Sequence, residues 1–298
     1  MSTLPHPAPL AVHAATGTSR WVLPALLLLL AQVALYGWMA PRGFDFTDES
    51  YYFHNYLDWR AFTGTVTFFG AYFEWPFRVM GGSIAGMRLL SLLLVLGSGA
   101  LLMHGLLRYS LRGSSFDPKL ARCWAYLVAP MASAMLYFGY LSTLRAPSYN
   151  LLTLCAMALA TACLLRTLEQ QERGHAARLA PFLYGVALGA CALSKATTAI
   201  ILTLTHMALF AVLNRSWAWR QLLASATLVT AGVALNFLLL TLAFPGWLAS
   251  LQDGLEIMRE RGLHRPQQWG QRACAVSGLT GDPSQRRFRY SRAGFSTR

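Results

Sequence analysis

Apolar residues in this chain fall into long blocks separated by short polar joints, at 21–40, 84–107, 123–141, 151–165, 181–213 and 222–244. A hydrocarbon core of about 30 Å takes about 20 apolar residues as a helix. Most blocks therefore predict one membrane-crossing helix each. The block 181–213 holds 33 residues, and a single helix of that length would run about 50 Å. A break at "SKATT" predicts two helices instead, with Lys195 at the turn. The pattern implies an all-α integral membrane protein with about seven crossings.

The joints divide the chain further. Residues 1–20 read as a cytoplasmic leader, and 21–250 as the transmembrane domain, with a first outer loop at 41–82. Block 21–40 admits a second reading, a signal peptide whose apolar region ends near "AQVA". Its length, with Trp21 and Trp38 at the two interfaces, favours a retained helix. Residues 251–298 comprise an amphipathic stretch and then a tail without hydrophobic period. From 265 to 298 the tail holds seven arginines and one Asp; disorder and a departure from the ancestral reading frame are both open.

Composition supports the membrane class. The 298 residues are 55% hydrophobic and 12% charged, about half the charged fraction of soluble domains. The net charge of +13 could suggest nucleic acid. Many of the arginines, however, sit in the joints between blocks, the pattern of a positive cytoplasmic side. With the N-terminus inside, the basic joints 108–122, 166–180 and 214–220 all face the cytoplasm. The loop 41–82, "STLRAPSYN" and Lys195 then share the outer face. The five cysteines show no paired or metal-ligand spacing, so neither a disulfide framework nor a metal site is expected.

The outer loop is where chemistry enters. Five of the twelve acids lie there: Asp45, Asp48, Glu49, Asp58 and Glu74. In "TDESYYFHNYLDW", Thr47 can cap a short helix with Asp48 and Glu49 in its first turn. Its aromatic residues suit a helix lying flat among lipid headgroups. On that reading the acids only cap an interfacial helix. The functional reading makes a carboxylate the general base toward an acceptor, with nearby cations stabilising a leaving phosphate. Arg78, Arg145 and Lys195 are outer-side cations, and Arg88 sits just inside the second block. Arg78, Arg145 and Lys195 can also snorkel to headgroups. Lys195 is the least easily explained so, because it interrupts an apolar stretch. His54 and His206 read as packing or surface residues, having no metal-spaced partner.

Together these residues resemble a family. A first crossing followed by "DFTDESYY" is similar to the Asp-Glu outer loop of the GT-C membrane glycosyltransferases. The likeness is to the protein O-mannosyltransferase and aminoarabinose-transferase-like branch (glycosyltransferase family 39 and relatives). "GMRLLSLLL", "APSYNLLTLCAMALATACLL" and "GVALGACALSKATTAIIL" resemble, in order, further elements of that family, the last its Gly-x-x-x-Gly…Leu-x-Lys element. The family's His-Pro-Pro type motif stands here as "FEWPFR". The resemblance covers roughly 20–250 and implies a GT-C-type helical bundle with short interfacial helices in the first outer loop.

It further implies sugar transfer, with inversion, from a polyprenyl-phosphate donor to a lipid, glycan or protein acceptor on the outer side of a membrane, such as the bacterial inner membrane. Asp48 would be the catalytic carboxylate and Glu49 its support; Arg78, Arg88 and Lys195 would contact the donor phosphate. No cofactor, metal or nucleic acid is called for. Family members are usually longer, so the chain is expected to be the N-terminal part of such an enzyme. A transporter or non-catalytic membrane scaffold is the alternative.

Overall fold

The computed structural model describes residues 19–42, 48–61, 66–110, 130, 146–173, 175, 178–213 and 219–260. The described residues are helical, with no strands among them. The helices are α1 (Ser19–Met39), α2 (Asp48–Leu57), α3 (Gly70–Val79), α4 (Ile84–Ser110), α5 (Tyr149–Glu172), α6 (Leu179–Ser194), α7 (Ala196–Leu213), α8 (Trp219–Ala243) and α9 (Trp247–Glu260). Four of them, α4, α5, α7 and α8, are long and apolar enough to cross a membrane. Two more apolar stretches, Leu26–Met39 and Leu179–Ser194, are shorter. The block 123–141 apart from residue 130, the leader to residue 18 and the tail from 261 lie outside the described residues.

The length and composition of these helices mark a membrane protein. Exposed leucines and isoleucines agree: Ile200, Ile201 and Leu204 on α7, and Leu238, Leu239 and Leu242 on α8, all face outward. In water such faces would demand a partner, whereas lipid tails are as apolar as leucine.

Hydrogen bonds between helix ends set the arrangement. The Ala146 N–H, just before α5, meets Glu49 on α2 at 3.1 Å, and Arg88 near the start of α4 meets Glu49 as well. Thr153, one turn into α5, bonds Ser194 at the end of α6 at 2.9 Å. At the opposite end Arg108 on α4 reaches Glu169 on α5, and Gln171 on α5 reaches Ser225 on α8. So α4 and α5 run parallel, and α6 returns antiparallel to them. Arg88 and Arg108 are separated by about 30 Å of helix at 1.5 Å per residue, roughly the thickness of a hydrocarbon core.

The long block 181–213 is divided as its length predicts. Helix α6 ends at Ser194, Lys195 leaves helical geometry with φ −157° and ψ 87°, and α7 begins at Ala196. His206 on α7 contacts Tyr184 on α6 at 3.2 Å, which makes the two helices a hairpin. Small residues bring α6 and α8 together. A Cβ on Gly185 would lie 2.1 Å from the Val229 carbonyl oxygen, and one on Gly232 would lie 2.3 Å from that of Phe182. Gly185 and Gly189 are thus the packing face of α6.

Helix α5 is longer than its apolar block. Residues 166–172, which the charge pattern assigns to a loop, continue the helix to Glu172. Glu169 holds Arg166 and Arg173 one turn to either side and Arg108 across the helix gap. Such pairs support a helix where hydropathy alone ends it.

Candidate functional site

The acid-rich loop folds into two short helices packed on each other. Tyr52, Phe53 and Tyr56 of α2 are buried against Phe73 and Phe77 of α3, with Phe69 just before it. Five pairs of these rings meet at 5.5–5.8 Å, two of them edge-to-face, and each such pair contributes about 0.5–1.5 kcal/mol beyond its buried area. The Tyr56 hydroxyl donates to the Pro147 carbonyl at the start of α5. The expectation of aromatic rings among headgroups is therefore corrected: these three rings lie in protein. The second aromatic helix, α3, supplies the partner face that a single-helix reading of the loop lacks.

Gly70 permits this approach, since a Cβ there would stand 2.2 Å from the Asn55 side-chain oxygen and 2.6 Å from the Asn55 carbonyl. Asn55 itself is buried, with neither side-chain amide atom hydrogen-bonded among the described residues.

Beneath α2 lies a buried ion pair. Glu49 is 0% exposed and Arg88 2%. The guanidinium grips the carboxylate in a fork, Nε to Oε1 at 2.9 Å and Nη2 to Oε2 at 2.5 Å. Its Nη1 donates to the carbonyls of Ala40 and Arg42, at 2.9 and 2.8 Å, where the chain leaves α1. One pair thus ties α1, α2, α4 and the start of α5 together. Charges buried in protein persist only when paired and hydrogen-bonded this fully.

Asp48 is the first residue of α2, one position from the anchored Glu49; its side chain, like Thr47, Asp45 and Arg145, lies outside the described residues. Arg78, near the end of α3, is largely exposed and pairs with Glu74 at 2.7 Å. Lys195 is exposed at the α6–α7 turn, with no ion-pair partner among the described residues. It shares the Arg88 end of the bundle: the Phe68 N–H donates to the Leu193 carbonyl at 2.8 Å, and neighbouring Phe69 meets Tyr149 edge-to-face. Asp58 is at the surface. The structure directly joins Glu49 with Arg88, and leaves Arg78 and Lys195 facing outward.

Two arrangements escaped the sequence reading. One is the Glu49–Arg88 pair itself. An arginine inside an apolar block implies a buried counter-charge, and that signal could have selected Glu49. The other is Glu74, which accepts from Trp59 Nε1 at 2.7 Å and from Arg60 at 3.1 Å. Burial pushes the Glu74 carboxyl up, but the bonds from Trp59 and Arg60 and the charges of Arg60 and Arg78 outweigh it, leaving its pKa below the ordinary value of 4.5. Burial also raises the Tyr51 phenol; a Thr67 hydrogen bond opposes this and Tyr149 adds to it. Among the described residues no cluster of three or more His, Cys, Asp or Glu could hold a metal ion.

A lowered carboxylate pKa stabilises the folded state above the ordinary glutamate value, and that stability is lost as pH falls through the folded value. Glu74→Gln is therefore expected to destabilise the protein by on the order of 1 kcal/mol at pH 7. Melting curves of wild type and variant should converge as pH falls through the lowered Glu74 value. A gap between them that persists unchanged in acid would remove Glu74 as a charged anchor.

No family model, curated protein or solved structure matches the chain.

Proposed function

We propose that the chain is an integral membrane glycosyltransferase of GT-C type, with about seven crossings, moving a sugar from a polyprenyl-phosphate donor to a lipid, glycan or protein acceptor. Its membrane is the bacterial inner membrane, with the Arg88 end outside and the Arg108 end inside. The observation that supports this reading most is the seating of α2. Its acidic start directly follows α1 and is held, through Glu49 and Arg88, at the same end of the bundle as the exposed Lys195.

In this reading Asp48 accepts the proton of the acceptor hydroxyl as its oxygen attacks the anomeric carbon. The bond from that carbon to the phosphate oxygen breaks, its electron pair leaves with the polyprenyl phosphate, and the anomeric centre inverts. Lys195 and Arg78 offer positive charge toward the departing phosphate. Arg88 and Glu49 act as positioning residues, since the Arg88 guanidinium is engaged by protein acceptors. The transporter or scaffold alternative draws less support, because the break at Lys195 is the turn of a hairpin rather than an interruption in mid-span.

Asp48→Asn tests the proposal. With a labelled polyprenyl-phosphate sugar and membranes containing the protein, transfer is expected to fall by at least about a hundredfold, the scale of a lost general base. Membrane insertion should be unchanged. Undiminished transfer by the variant would end the assignment of Asp48. Sugar flux into proteoliposomes without any covalent product would favour the transporter.

A further inference from the structure

A cavity of about 800 Å³ runs along the bundle between α4, α5 and α6, from Tyr72 and Pro76 at one end to Arg108 and Arg166 at the other. Between those ends its walls are apolar; Leu94, Leu101, Leu159 and Leu183 are among them. The Arg108 end has a different character. Three guanidiniums, those of Arg108, Arg166 and Arg173, share the single carboxylate of Glu169 at 2.7, 2.6 and 2.8 Å. Each engages it through one terminal nitrogen, and the side chains of Arg108 and Arg166 remain 37% and 41% exposed. Gln170 lines the same end, and its side-chain oxygen is buried without a hydrogen-bond partner among the described residues.

An apolar trough closed by partly unspent guanidiniums has the chemistry of an amphiphile site. We propose that it holds an anionic phospholipid of the leaflet at the Arg108 end, about 30 Å from Arg88 along α4. The acyl chains lie against the leucine-lined walls. The phosphate meets Arg108 and Arg166, which present donors in the fork geometry that suits phosphate oxygens. Gln170 supplies an acceptor that a headgroup hydroxyl would fill, which favours a glycerol headgroup over choline. Basic pockets between membrane helices on the cytoplasmic side bind anionic headgroups on this physical basis. The site is independent of the chemistry proposed at Asp48.

Native mass spectrometry of the detergent-purified chain, loaded with phosphatidylglycerol or phosphatidylcholine, tests this. Phosphatidylglycerol is expected to be retained at least about tenfold better, as two arginines at a headgroup predict. Arg108→Gln with Arg166→Gln should remove most of that preference. Leu183→Trp fills the trough from an exposed position and leaves the arginines in place, so it should lower retention even if the arginine variant folds poorly. Glycerol 3-phosphate at millimolar concentration should not displace the lipid. Equal retention of the two lipids would overturn the proposal. So would retention that survives both variants, displacement by the free phosphate ester, or a concentration-dependent dimer that excludes lipid.

Discussion

Arg88→Met is expected to destabilise the protein by about 3–5 kcal/mol, the cost of leaving a buried charge without its partner. Glu49 is fully buried, and its carboxylate oxygens are met by the Arg88 fork and the Ala146 N–H. Removing the guanidinium leaves that carboxylate buried without its counter-charge. It also frees the carbonyls of Ala40 and Arg42. The variant should loosen α2 from α4 and the start of α5 from both.

Arg88→Lys should fall between wild type and Arg88→Met, because an ammonium keeps the charge but cannot span two carboxylate oxygens and two carbonyls at once. The double variant Glu49→Leu/Arg88→Met should be milder than Arg88→Met alone, since an apolar pair removes the desolvation penalty together with the attraction. Equilibrium unfolding in mixed detergent micelles measures all four proteins. A single variant within about 0.5 kcal/mol of wild type, the range of an ordinary surface change, would show that the pair does not hold the bundle end.

The second large effect is expected at the contact of α6 and α8. In Gly232→Leu the new Cβ would stand 2.3 Å from the Phe182 carbonyl oxygen and 2.7 Å from the Val186 nitrogen. In Gly185→Leu it would stand 2.1 Å from the Val229 carbonyl oxygen. These neighbours are backbone atoms inside helices and cannot swing aside. The helices must separate, and Asn236 would then lose its hold on the Val186 carbonyl at 3.1 Å and on the Tyr72 hydroxyl at 2.7 Å.

A cost of at least about 3 kcal/mol follows from overpacking. Gly97 on α4 is the control, because a Cβ there meets nothing within 4 Å; Gly97→Ala should be neutral or stabilising by up to about 1 kcal/mol. If Gly232→Leu melted with wild type, the close approach of α6 and α8 would be refuted.

Much of this architecture can be read along the chain. The positions of α4, α7 and α8 follow from block length, because the thickness of a bilayer is a local ruler that each block meets separately. The division of 181–213 at Lys195 follows for the same reason. The acid-rich segment after α1 is equally visible, because five of the twelve acids of an apolar chain lie within 41–82.

What the chain does not display is who meets whom. Glu49 and Arg88 are 39 residues apart, Arg108 and Glu169 61, and Tyr72 and Asn236 164. Hydropathy says that each lies in or beside an apolar block, but not which helices are neighbours or in what register. Only packing decides that Arg88 spends its donors inside the protein while Lys195 keeps its charge exposed. It also decides that the aromatic face of α2 turns to α3 instead of to lipid. Helix formation depends on neighbours within a few residues and on the solvent around them, and the sequence records both. Pairing depends on the shape of surfaces that exist only once the helices have assembled.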